Sequence, residues 1–197
     1  MTTSDIAAVI SAVSALGSLF VVSIGAWVAY SQLTAWRSEA VGKRRADVAE
    51  RALIAIAKVD DAMRFIRSQH SRVPVEIADR EATYLKLRQQ RIADSNALFV
   101  ELQDCQVAVY IQLGWDGVDE LFNEILELRS EVVLAIDNMC GSIDDDTIEA
   151  RRLKIEWRKI YSGDYSANDE LGMKQQKAIK LLQQKLFPVA RHNAGKN

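Results

Sequence analysis

Twenty-five consecutive residues, Ile6 to Tyr30, carry no charge. As an α-helix rising ~1.5 Å per residue, such a run exceeds the ~20 residues that cross a bilayer's hydrocarbon core. Its polar side chains are Ser11, Ser14, Ser18, Ser23 and the Tyr30 hydroxyl. A helical serine returns its hydroxyl to a carbonyl of the preceding turn and so costs little in lipid. A soluble core helix of this length would instead keep a polar stripe. A cleaved signal peptide wants a basic start, an apolar run of ~7–15 residues and a small-residue cleavage site. Met1 to Asp5 contain no Lys or Arg, and the apolar run is too long. The expectation is a transmembrane anchor.

The flanks set its orientation. One charge, Asp5, precedes the run, whereas Arg37, Lys43, Arg44 and Arg45 lie beyond it. Lys and Arg stay on the cytoplasmic side, so the N-terminus is expected outside and the remainder at the cytoplasmic face of the inner (plasma) membrane. Trp27, Tyr30 and Trp36 fit an aromatic belt at that interface. Ala7, Ser11 and Ala15 lie along one helical line and Ser14 and Ser18 along another, a pattern that lets a second span approach closely.

Two prolines and nine glycines are few for 197 residues. Both punctuate turns and weaken helices, so their scarcity favours long helices. The anchor helix is expected to continue past Arg37, with Ala49, Ala52, Ile56, Val59, Met63 and Ile66 recurring at steps of three and four. Pro74 disfavours helix at the residue before it, which places a tight connection around Ser71 to Glu76. A second helix from about Ile77 to Leu113 has the apolar line Tyr84, Leu87, Ile92, Phe99, Leu102, Val109 and Leu113. Gly114, Trp115, Asp116 and Gly117 break it, with Asp116 as a cap for the next helix.

The third helix shows the cleanest periodicity: Val118, Leu121, Ile125, Leu128, Val132, Ala135 and Met139, widened by Phe122, Leu126, Val133 and Ile136. A stripe this wide suits the core of a multi-helix bundle better than a two-stranded coil. Gly141 ends it. Asp144, Asp145 and Asp146 lack the alternating ligands, central Gly and distant Glu of a calcium loop, so they read as an N-cap. A fourth helix carries Ile148, Leu153, Trp157 and Ile160. A loop spans Ser162 to Asn168, and a last helix runs from about Asp169 to Phe187, stopped by Pro188.

The implied fold class is all-α: a single transmembrane helix continuing into a cytoplasmic antiparallel helical bundle. The expected divisions are 1–36 for the N-terminal tail and anchor, 37–187 for the bundle and 188–197 for a disordered basic tail. Helices of nearly equal length on either side of Pro74 imply a hairpin that returns to the membrane, with Trp115 at the interface beside Trp36.

Chemistry is thinly represented. His70 and His192 are the only histidines, and neither has a second imidazole or a cysteine at ligand spacing. Cys105 and Cys140 read as half-buried thiols of a reducing compartment. No phosphate-binding, dinucleotide-binding or nucleophile-elbow motif occurs. The expectation is therefore no enzyme, no metal and no cofactor. A formal net charge of −2 and a pI near 5.8 argue against nucleic acid.

Charge is uneven along the chain. Eleven acids and one Arg lie between Asp116 and Ala150, whereas from Leu171 onward there are six basic residues and no acid. One reading is complementarity inside the bundle. The other is a basic docking face, Lys174, Lys177, Lys180 and Lys185, backed by an apolar face of Ala178, Ile179, Leu182 and Leu186 that could lie on anionic lipid or dock on an acidic partner. The functional expectation is a membrane-anchored interaction or scaffold module holding a partner, or itself, at the cytoplasmic face. The alternative is an oligomeric effector that perturbs the bilayer.

Overall fold

The computed structural model describes residues 3–68, 80–142, 147–163, 165–166 and 168–191. Among the described residues there are five helices and no strand: α1 (Thr3–Arg67), α2 (Arg80–Leu113), α3 (Val118–Gly141), α4 (Ile148–Tyr161) and α5 (Glu170–Ala190). The chain divides into two compact units, Met1–Arg44 and Arg45–Asn197, and α1 runs through the division as one unbroken helix.

In the first unit every described side chain from Gly17 to Glu39 is exposed, including Leu19, Phe20, Val21 and Val22. This is the one described helix long and apolar enough to cross a membrane. Several hydroxyls along it return to carbonyls of the preceding turn. Ser23 Oγ donates to the Leu19 carbonyl at 2.8 Å, Ser31 Oγ to Val28 at 2.8 Å and Thr34 Oγ1 to Ser31 at 2.9 Å.

The second unit is built around α3, which packs against α2, α4 and α5. Its buried stripe is Val118, Phe122, Ile125, Leu128, Val132, Ala135, Ile136 and Met139, with Leu121 packed at the edge. The expected α1 seam, Ala49 to Ile66, is buried in the same core. The glycine break before α3 is formed as expected, since Gly114 (φ 61°) and Gly117 (φ 74°) adopt the left-handed conformation that L side chains avoid. Gly114 N–H donates to the Tyr110 carbonyl at 3.1 Å and closes α2.

Several local expectations are corrected. Asp116 does not cap α3: the N-cap is Gly117, with no side-chain cap bond. The cap of α4 is Thr147, whose hydroxyl accepts from Ala150 N–H at 3.2 Å, while Asp144 to Asp146 lie outside the described residues. Pro188 does not stop α5, which continues to Ala190. In the final turn proline removes a single N–H, and its would-be acceptor, the Gln184 carbonyl, sits at a solvent-exposed position. In α4, Ile148, Leu153 and Ile155 are exposed, and the helix rests on the core through Ala150, Trp157, Ile160 and Tyr161. The line Ala150, Trp157 and Tyr161 is the one in register with a 3.6-residue period, and Ile148 falls off it. In α2, Leu87 is exposed and the buried line enters through Leu85 and Arg88. The connection at Ser71 to Glu76, both histidines and the tail from His192 lie outside the described residues.

Candidate functional site

The polar groups of the second unit converge where α1 and α4 end. Arg67 and Arg88, at 0% and 6% exposure, are the two buried cations among the described residues. A helix C-terminus leaves carbonyls without partners and carries partial negative charge, so a buried guanidinium there is doubly matched. Arg88 Nη1 donates to the Ile66 carbonyl at 2.7 Å and to the Tyr161 carbonyl at 2.6 Å, and Nη2 to Ser68 at 3.2 Å. One side chain of α2 therefore closes the ends of both α1 and α4. Burial pulls the Arg88 pKa down to about 10, opposed by Tyr161 and reinforced by Arg91 and Arg67, which leaves it charged at neutral pH.

Arg67 closes the arrangement from α1. Its Nε donates to the Ile160 carbonyl at 3.0 Å and its Nη2 to Asp169 Oδ1 at 2.7 Å. Asp169 is also the α5 N-cap: Oδ1 accepts from Gly172 N–H and Oδ2 from Tyr165 N–H, both at 3.0 Å. Burial alone would raise the Asp169 carboxyl pKa, but the Arg67 bond, with these two backbone donors, holds it below its usual value. Tyr165 sits at φ 57°, uncommon for a non-glycine residue. It is held there by its N–H bond, by its hydroxyl on Gln175 Oε1 at 3.2 Å and by its ring, 4.4 Å from the Arg64 guanidinium. Gln175 in turn donates to Asp60 Oδ1 at 2.7 Å. Arg67 Nη1 is buried there without a hydrogen-bond partner. The cluster ties four helices together and borders an open pocket of about 440 Å³, lined in part by Glu81, Tyr84, Arg88, Arg158 and Tyr161.

None of these residues belongs to a sequence motif. The signal that could have found them is register: Arg67 comes directly after Ile66 at the end of the α1 seam, and Arg88 lies on the buried line of α2. A cation at a core position calls for buried acceptors.

The residues expected to matter from sequence fall at these places. Trp27, Tyr30, Trp36, Arg37, Lys43 and Arg44 are exposed in the first unit, and Arg45 is exposed at the start of the second. Trp115 is half-buried against the core, beside Asp116, whose carbonyl accepts from Lys185 Nζ at 3.3 Å. Lys174, Lys177, Lys180 and Lys185 are exposed. The apolar face behind them, Ala178, Ile179, Leu182 and Leu186, is buried in the core, so that face is committed to the fold. The basic α5 packs against the acidic α3, although among the described residues no ion pair joins an α3 carboxylate to an α5 lysine. Cys105 and Cys140 are free, and burial pushes both thiols up in pKa. No group of metal-ligating residues occurs among the described residues.

No family model, no curated protein and no solved structure matches this chain.

Proposed function

We propose that the protein is a membrane-anchored helical interaction module, which holds a protein partner or a second copy of itself at the cytoplasmic face of the inner (plasma) membrane. The observation that supports this is the change of character along α1. Its described N-terminal part is apolar and exposed on every side, and from Ala46 onward it contributes a buried seam to a packed core. Apolar surface exposed all round a helix calls for lipid. The Lys/Arg flank supports an outside N-terminus, with Trp27, Tyr30 and Trp36 at the interface. The finer arrangement of the second unit is an antiparallel bundle. Lys58 pairs with Glu101 and Arg88 reaches the Ile66 carbonyl, so residue numbers fall along α2 as they rise along α1.

The test is fractionation and topology together. The full chain should float with vesicles and resist alkaline extraction. A reporter active only in the periplasm, fused after Arg191, should stay inactive. Release by alkali would remove the anchor, and an active reporter would invert the topology. Leakage of a trapped dye from vesicles carrying the protein would replace this reading with that of a bilayer-perturbing oligomer.

A further inference from the structure

Two surfaces of the second unit are complementary and do not meet within the chain. The first is an open groove of about 690 Å³ between α2 and α3, whose apolar lining includes Ile92, Ala93, Val133 and Leu134. Leu134, in that lining, is 61% exposed. Asp137 lines the groove, and Glu127 and Glu131 are exposed on the same helix within two turns of Leu134. The one cation lining the groove, Arg129, has its guanidinium 4.4 Å from the Phe99 ring centre and hydrogen-bonded to Asn96.

The second surface is the outward side of α5. Lys174, Lys177 and Lys180 are exposed there, with Met173, Leu181 and Phe187 as its exposed apolar groups. Six residues, about 9 Å of helix, separate Lys174 from Lys180, and ten, about 15 Å, separate Glu127 from Asp137. The lysines therefore fit within the length of the acidic rim.

We propose that the outward face of α5 on one copy docks in the α2/α3 groove of a second copy, so that the partner the module holds includes itself. The inference rests on the interaction-module reading and names the surfaces used. The occupant is a second copy because the complementary face is present in the same sequence and left unpaired in it. Copies anchored in one membrane also meet at raised effective concentration, which lets a modest contact suffice. Apolar side chains supply the centre of the contact and the charges its register.

The test uses the full chain in detergent micelles, studied by sedimentation, with two charge-reversed triple variants on exposed positions. One carries Glu127→Lys, Glu131→Lys and Asp137→Lys; the other carries Lys174→Glu, Lys177→Glu and Lys180→Glu. Wild type should self-associate, and at least about tenfold more weakly at 0.5 M than at 0.1 M salt, because screening shortens the reach of exposed charge. Each variant alone should be monomeric, with unchanged helical circular dichroism. Mixing the two should restore association, since each then offers the face the other lacks. A monomeric wild type at 0.1 M salt overturns the inference, as does wild-type-like association of both variants alone. Vesicle flotation of the same samples keeps the two readings apart. A protein that floats but stays monomeric loses this inference and keeps the anchor; one that does not float loses the anchor, while sedimentation still decides the pairing.

Discussion

Arg67 and Asp169, 102 residues apart in sequence, meet at 2.7 Å with side chains 0% and 5% exposed. Removing one member of a buried pair leaves the other charge without compensation, at a cost of ~3–5 kcal/mol. The two removals should differ. Without Arg67, Asp169 still accepts from Gly172 and Tyr165. Without Asp169, Arg67 loses its one carboxylate partner, and α5 loses its cap, worth about 1 kcal/mol more. Chemical denaturation of the full chain in detergent should therefore rank Asp169→Ala below Arg67→Met, with both well below wild type. Equal stability of all three would show that the pair contributes nothing.

The same carboxylate should govern acid stability. Its folded pKa lies below the unfolded value, so its contribution is complete above the ordinary carboxylate pKa of ~3.9 and is lost as pH falls through the lower folded value. Unfolding curves from pH 6 down to about pH 2 should show wild type losing stability in that acid window. Asp169→Asn should start lower and lose less over the same range. Parallel pH profiles for the two proteins would exclude Asp169 as the group responsible.

Two glycines are fixed by this pair. A Cβ on Gly163 would overlap the Arg67 guanidinium and the Asp169 carboxylate, and one on Gly172 would stand 2.5 Å from Asp169 Oδ2. Neither glycine has a positive φ, so close approach is the constraint. Gly172→Ala should improve helix propensity in isolation by up to ~1 kcal/mol, yet the overlap should reverse the sign and destabilise by roughly 1–3 kcal/mol. A control at Gly42, where a Cβ meets nothing within 4 Å, should be neutral or stabilising. If thermal melts show Gly172→Ala more stable than wild type, the packing around Asp169 is looser than described.

Periodicity makes the hydrophobic architecture legible, because burial of a stripe is a local property of spacing. The α1 seam and the α3 stripe with Ile125 and Leu128 come from steps of three and four. The break at Gly114 and Gly117 comes from backbone freedom. The features hidden from sequence depend on who lies opposite. Arg88 reads as a surface cation until α1 and α4 bring carbonyl ends to it, and Asp169 reads as an ordinary cap until Arg67 arrives from a distant part of the chain. Leu87 and Ile148 mislead for the converse reason: apolar identity does not supply a neighbour to bury against. The basic face of α5 is readable as charge, but its commitment to the core on the other side is not.

Arg88 offers the sharpest separation of charge from geometry. Its guanidinium reaches three carbonyls on two helix ends, with distances of 2.6 to 3.2 Å, from two nitrogens in one plane. A lysine keeps the positive charge that the helix dipoles favour but concentrates its donors at one atom, so it cannot span both ends. Arg88→Lys should therefore retain part of the electrostatic contribution and leave at least one buried carbonyl unpaired, at ~1–3 kcal/mol. Arg88→Met should lose both and fall further. Amide exchange gives a readout beyond global stability. In Arg88→Lys, protection in the last turns of α1 and α4 should drop while the middle of α3, around Ile125, stays protected. Uniform loss of protection across α3 would mean that Arg88 supports the core as a whole and does not act through the two helix ends.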